Sequence, residues 1–134
     1  MFLRPNQTKY KKIKKGKLSK LEFKANCLKF GNVGLKATES GLISSKQIES
    51  ARQAISRKIK RKGKIWIKIF PDLPITSKSI GSRMGKGKGP VSHWVARVRG
   101  GTILFEVSGK NVSIIIAALY TGGAKLPIKT KIVI

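Results

Sequence analysis

Between Ser44 and Phe70 the hydrophobic pattern of the chain changes period, and that change restricts its fold more than any other feature. Ile48, Ala51, Ile55 and Ile59 recur at the spacing of one helical face. From Lys64 to Phe70 the period drops to two, with Ile65, Ile67 and Ile69 on one side and Lys64, Trp66 and Lys68 on the other. A helix followed directly by a half-buried strand is therefore predicted, with apolar faces that must share a core. Ser44 is placed as N-cap with Gln47 completing a capping box, Ile43 and Ile48 fit a hydrophobic staple, and Gly63 is placed to stop the helix. Trp66, between two lysines, suits either stacking on a base or ribose or covering the edge of a core.

The rest of the chain fills in around this unit. Leu21 to Thr38, punctuated by Gly31 and Gly34, fits a hairpin or bulged strand pair, with Cys27 as a small, semi-buried strand residue. Pro71-Asp72-Leu73-Pro74 reads as a turn. Trp94 to Val98 and Thr102 to Val107 alternate on either side of Gly100-Gly101, the strongest hairpin signal here, and Arg97 and Arg99 share one face of the first run. Asn111 to Tyr120 mixes strand-favouring isoleucines with Ala117-Ala118; a short helix ending near Gly122 is the reading adopted. Ile128 to Ile134 reads as an edge strand whose lysines discourage edge pairing. The predicted fold class is α+β: an antiparallel sheet with two helices packed on it, a basic N-terminal arm over 1–20, and one domain over 21–134 from which a glycine-rich basic loop, 71–93, projects.

Charge then says what such a domain meets. Thirty Lys and Arg against five Asp and Glu give a formal net charge of +25 on 134 residues. Self-repulsion of that size opposes compaction, so a polyanionic partner is implied. A membrane surface would call for an amphipathic helix with a large apolar face or a long spanning run, and the longest apolar stretch, Ile114 to Tyr120, is too short. The cations cluster in the arm (Arg4, Lys9, Lys11, Lys12, Lys14, Lys15, Lys17) and toward the end of the first helix (Arg52, Arg57, Lys58, Lys60, Arg61, Lys62). Complementing the helix dipole explains only part of the second cluster. Between Lys78 and Trp94, Gly81, Gly85, Gly87 and Gly89 interleave with Lys78, Arg83, Lys86 and Lys88, so that backbone and charge can both approach phosphates. The alternative is a solvated loop.

Catalysis finds little support. Glu22, Glu39, Glu49, Asp72 and Glu106 are scattered, with no spacing that suits acid/base or magnesium work. The loop lacks a Walker motif, because Lys86 and Lys88 each precede Gly. The lone Cys27 and His93 cannot complete a metal set, so neither metal nor cofactor is expected. The N-terminus has no apolar h-region, which argues against a secretory signal and leaves the Asn111-Val112-Ser113 sequon without use. Lysine far outnumbers arginine and isoleucine is frequent, a bias of AT-rich genes such as organelle genomes or AT-rich bacteria.

The segments RKGKIWIKIFP (Arg61 to Pro71) and RMGKGKG followed by four residues and Trp94 (Arg83 to Trp94) resemble the two signatures of the large-subunit ribosomal protein sixteen family. PNQTKYKK, FGNVGLKA (Phe30 to Ala37), QIESAR, FPDLPIT and KLPIKT agree as well. The resemblance implies a non-enzymatic constituent of the large ribosomal subunit, bound to rRNA at the base of the central protuberance and ordering the aminoacyl-tRNA entry side of the peptidyl-transferase centre. It implies a tRNA-site loop of Arg83, Met84, Gly85, Lys86, Gly87, Lys88 and Gly89. The arm and helix-end cations, with Lys64, Trp66, Lys68, Arg97 and Arg99, would hold rRNA. Its partners would be rRNA, tRNA and neighbouring large-subunit proteins, without membrane or homo-oligomer. Gly89 to Trp94, the AT-rich bias and the missing presequence look closest to a mitochondrial version, hence the mitochondrial matrix, with chloroplast stroma or bacterial cytoplasm as alternatives. Two departures stand out. Leu73 replaces a common lysine, and Gly122-Gly123 interrupts an alanine-rich helix end, so the second helix is expected to be shortened. Two other readings compete: a free nucleic-acid-binding regulator, and an RNA-modifying enzyme.

Overall fold

Ser44 does start a helix, α1 (Ser45–Lys58), through a complete capping box. Its hydroxyl accepts the Gln47 N–H at 3.3 Å, and its own N–H donates to the Gln47 side chain at 2.8 Å. The computed structural model describes residues 3–134, so the first two residues of the expected arm lie outside it. In chain order the other elements are β1 (Val33–Ala37), β2 (Gly41–Ser44), β3 (Gly63–Ile67), β4 (Leu73–Thr76), β5 (Val91–Val98), β6 (Ile103–Gly109), α2 (Val112–Gly123) and β7 (Thr130–Val133).

The α+β class holds, but the strands form two antiparallel sheets where one was expected, ordered β3-β6-β1-β7 and β2-β5-β4. The anticipated β5-β6 hairpin does not form. A turn does close at Gly100-Gly101, with the Thr102 N–H donating to the Arg99 carbonyl and Gly101 at φ +98°. The end of β1 intervenes there, as Ala37 accepts from Gly101 at 2.7 Å and donates to Thr102 at 2.9 Å. β5 therefore pairs with β2 and β4, and β6 with β1 and β3. Alternation marks a half-buried strand without naming its neighbour.

Other expectations shift for local reasons. Gly63 does not stop α1. Lys60 and Arg61 do, at φ 55° and 61°, where the Lys60 N–H meets the Arg57 carbonyl at 3.1 Å and the Arg61 N–H meets that of Ser56 at 3.2 Å. This is a Schellman closure made with basic residues at positions usually given to glycine. Pro71 to Pro74 is not all turn, because Leu73 and Pro74 open β4; as an edge strand, β4 tolerates a proline that donates nothing to the ladder. α2 ends at Gly123, close to Gly122 as expected, and the two glycines are its last two residues. A Cβ on Gly122 would come within 2.5 Å of Cγ1 and 2.7 Å of Cδ1 of Ile55, so glycine is what lets α2 approach α1.

The core lies between the two helices and the inner face of the first sheet. Ile48, Ala51 and Ile55 of α1 and Ile115, Ala118 and Leu119 of α2 are buried against Val33, Leu35, Phe105 and Val107. Residues 21–32 form no strand pair, and only β1 survives from the predicted hairpin. They run irregularly along the first sheet, where the Asn32 N–H reaches the Val107 carbonyl at 3.0 Å and the Ala25 carbonyl accepts from Ile103 at 3.0 Å. Cys27 is accordingly exposed and outside any strand, contrary to expectation. β7 is an edge strand as expected, paired through β1 alone.

Candidate nucleic-acid interface

The glycine-rich loop leaves β4 and returns to β5, its base closed by the Ser77 N–H on the Pro90 carbonyl at 3.1 Å. Gly81, Gly85 and Gly87 have φ of +86°, +81° and +84°, and nothing lies within 4 Å of where their Cβ atoms would stand. Their glycines serve backbone conformation, not crowding. A Cβ on Gly89 would strike the Ser77 carbonyl, so close approach fixes that residue. Lys78, Arg83, Met84, Lys86 and Lys88 are all exposed.

This loop and the arm, far apart in sequence, clasp each other. The Lys12 ammonium donates to the Lys88 carbonyl at 2.7 Å, and the Lys88 ammonium donates to the Ile13 carbonyl at 2.8 Å. Neither bond neutralises a charge. At its start the arm is held by Leu3, which joins the core cluster. From Arg4 onward it carries exposed Lys9, Lys11, Lys12, Lys14, Lys15 and Lys17. Lys17 reaches a groove whose walls also include Lys68, Arg97 and Arg99. Arg99 stands 3.8 Å from Glu22 there, while Arg97 is exposed.

At the end of α1 and just past it, the exposed Arg57, Lys58, Lys60, Arg61, Lys62 and Lys64 crowd around the Schellman turn. Arg52, Arg57, Lys60 and Arg61 line one groove. Arg52 differs from its neighbours in being bidentate with Glu49, at 2.7 and 3.0 Å. Hydrogen bonding to Arg52 holds the Glu49 carboxyl below its ordinary value and raises the Arg52 guanidinium in turn.

Trp66 lies on the outer face of β3, as the alternation implied, and Lys68 follows directly after the strand. Lys68 is already engaged: its ammonium is 3.4 Å from Oε1 of Glu106 and 4.3 Å from the centroid of the Phe30 ring. Glu106 is completely buried, and its Oε2 accepts the N–H groups of Lys29, Phe30 and Gly31 at 3.1, 2.6 and 2.9 Å. Burial alone would push that carboxyl up, but the three amides and Lys68 outweigh it and hold it below the ordinary glutamate value. Sequence reasoning treated Glu106 as one scattered carboxylate and gave Phe30 no role. An acid inside the apolar run Ile103 to Val107 was the available signal.

Among the described residues no cluster of His, Cys, Asp and Glu could hold a metal ion, and no helix is long and apolar enough to cross a membrane. What the surface offers is exposed cations on an arm, a loop and a helix end, with acids mostly committed to internal partners. The family model described as ribosomal protein L16p/L10e matches residues 5–133. A protein of Hyphomonas neptunium named large ribosomal subunit protein uL16 is 51% identical over 98% of this chain and 96% of its own length. Proteins of the same name from Psychrobacter cryohalolentis and Acinetobacter baumannii are 48% and 47% identical, each over 98% of this chain and 96% of their own length. The chain belongs to the ribosomal protein L16p/L10e family, a family of structural components of ribosomes rather than of enzymes.

Proposed function

We propose that the chain is a structural constituent of the large ribosomal subunit, held by rRNA and by neighbouring ribosomal proteins and present as a single copy. The agreement with bacterial relatives over nearly the full length carries this reading. The cationic surface supports it, since a charge of +25 is offset by phosphates whose condensed counterions the lysines and arginines release into solvent. In the finer reading, the arm, the end of α1, and the Lys17, Arg97 and Arg99 groove face rRNA at the base of the central protuberance. The loop from Arg83 to Gly89 then extends to the tRNA entry side of the peptidyl-transferase centre. Its support is the clasp between Lys12 and Lys88, which joins an rRNA-facing arm to a loop that carries exposed charge outward. A mitochondrial compartment is favoured by the lysine and isoleucine bias; the relatives named above are bacterial, and a bacterial ribosome is the other reading.

Sedimentation of a lysate through a high-salt gradient, with and without ribonuclease, tests the assignment. Cosedimentation with the large subunit that ribonuclease abolishes is expected. A slowly sedimenting, salt-labile protein would instead identify a free nucleic-acid binder. The two surfaces separate by mutation. Reversing Arg57 and Arg61 to Glu is expected to lower occupancy in purified subunits several-fold, through lost phosphate contacts. Arg83→Ala should leave occupancy within twofold while slowing aminoacyl-tRNA accommodation; unchanged accommodation would remove the loop from the tRNA site.

A further inference from the structure

One row of residues across the first sheet is organised for something other than core packing. Trp66, Glu106 and Gly34 are direct partners in β3, β6 and β1 and share the outer face. Over this row lies the segment 28–31. A Cβ on Gly34 would strike the Leu28 side chain, and one on Gly31 would come within 2.7 Å of the Val107 nitrogen. The glycines let the segment lie flat on the sheet, and the Glu106 carboxylate captures its three successive amides. The result is to stand the Phe30 ring against Trp66, with centroids 6.0 Å apart and planes inclined by 22°.

If this pair only sealed the sheet, an apolar side chain at 106 would serve without the cost of burying a charge. Phe30 also seals little, being 59% exposed. A buried carboxylate has been spent on holding an aromatic ring in water. Lys29 and Lys64, both exposed, neighbour Phe30 in sequence and Trp66 along the outer face of β3. An aromatic step flanked by cations is the chemistry that receives a nucleobase with its phosphates.

We propose that Phe30 and Trp66 form a stacking platform for an unpaired RNA base, that Lys29 and Lys64 meet the adjoining phosphates, and that Glu106 is the positioning residue. The proposal rests on the RNA-binding reading and adds to it the kind of contact made. Trp66 and Trp94 are the two tryptophans, so Trp94→Phe in the full chain isolates the signal. The probes are a single-stranded oligoadenylate and an inorganic polyphosphate of equal charge. Oligoadenylate should quench Trp66 emission, while polyphosphate should bind without doing so. Phe30→Ala should remove most of the quench and lower oligoadenylate affinity about tenfold, which is about 1.4 kcal/mol. It should change polyphosphate affinity less than twofold, and Phe30→Tyr should restore both properties. Where Trp94→Phe does not fold, the difference in quenching between the native chain and Trp66→Phe gives the same readout. Equal quenching by the two polyanions, or equal loss of both on Phe30→Ala, overturns the platform and leaves RNA binding standing. Failure of the chain to bind oligoadenylate at all would overturn both.

Discussion

Glu106 shows how much one residue can carry in a chain with so few acids. Its folded-state carboxyl lies below the ordinary value, so the unfolded chain binds the proton more readily and the charged form favours folding. That contribution is complete above about pH 4.3, the ordinary glutamate value, and is lost as pH falls through the lower folded value. Glu106→Gln keeps one acceptor but leaves Lys68 without its counter-ion. It should cost about 1–3 kcal/mol near neutrality. Denaturant titrations across roughly pH 2.5 to 7 should show the gap closing in acid. A gap that stays constant would mean that the carboxylate contributes shape and not charge. Reading from sequence found the cations around this site and missed its organiser, because burial of a lone acid depends on a segment more than seventy residues away in the chain, as the Lys29 and Gly31 contacts show.

At the scale of elements, α1 was legible almost entirely, since a capping box and a helical apolar face are local properties. Its end was not. Lys60 and Arg61 adopt left-handed backbone that glycine would take more readily, and keep their cations on the surface by doing so. The end of α2 fell where it was expected, near Gly122, but what glycine does there depended on a neighbour. Propensity alone makes Gly122→Ala stabilising by about 1 kcal/mol. The Ile55 contact reverses the sign, and the expected outcome is destabilisation by about 1–3 kcal/mol from overpacking. Thermal denaturation of Gly122→Ala, Ile55→Ala and the double variant should show the double costing less than the sum. Strict additivity would show that Gly122 is not what sets the approach of the helices.

For the whole molecule, charge is the dominant quantity. A net +25 opposes the folded state of the isolated chain, so added salt should stabilise it. Raising sodium chloride from about 0.05 M to about 0.5 M, which shortens the Debye length from roughly 14 Å to 4 Å, should raise Tm by several degrees in a dye-free scanning measurement. RNA affinity should fall over the same range, by orders of magnitude. Opposite responses to one variable are the signature of a fold completed by its polyanion; a Tm that falls with salt would contradict it.

Sequence by itself determined the class of the fold, the start of α1, the faces of β3, the identity of β7 as an edge, and the cationic segments, along with the family signatures. Each rests on spacing or composition within a short stretch, where backbone geometry and side-chain chemistry act locally. Tertiary structure decided which strands pair, because the end of β1 takes the hydrogen bonds that a β5-β6 hairpin would have used. It also brought the arm to the loop through Lys12 and Lys88, and Phe30 to Trp66 through Glu106. Those are contacts between distant segments, settled only when unpaired amides, crowded glycines and a buried charge must all be satisfied together.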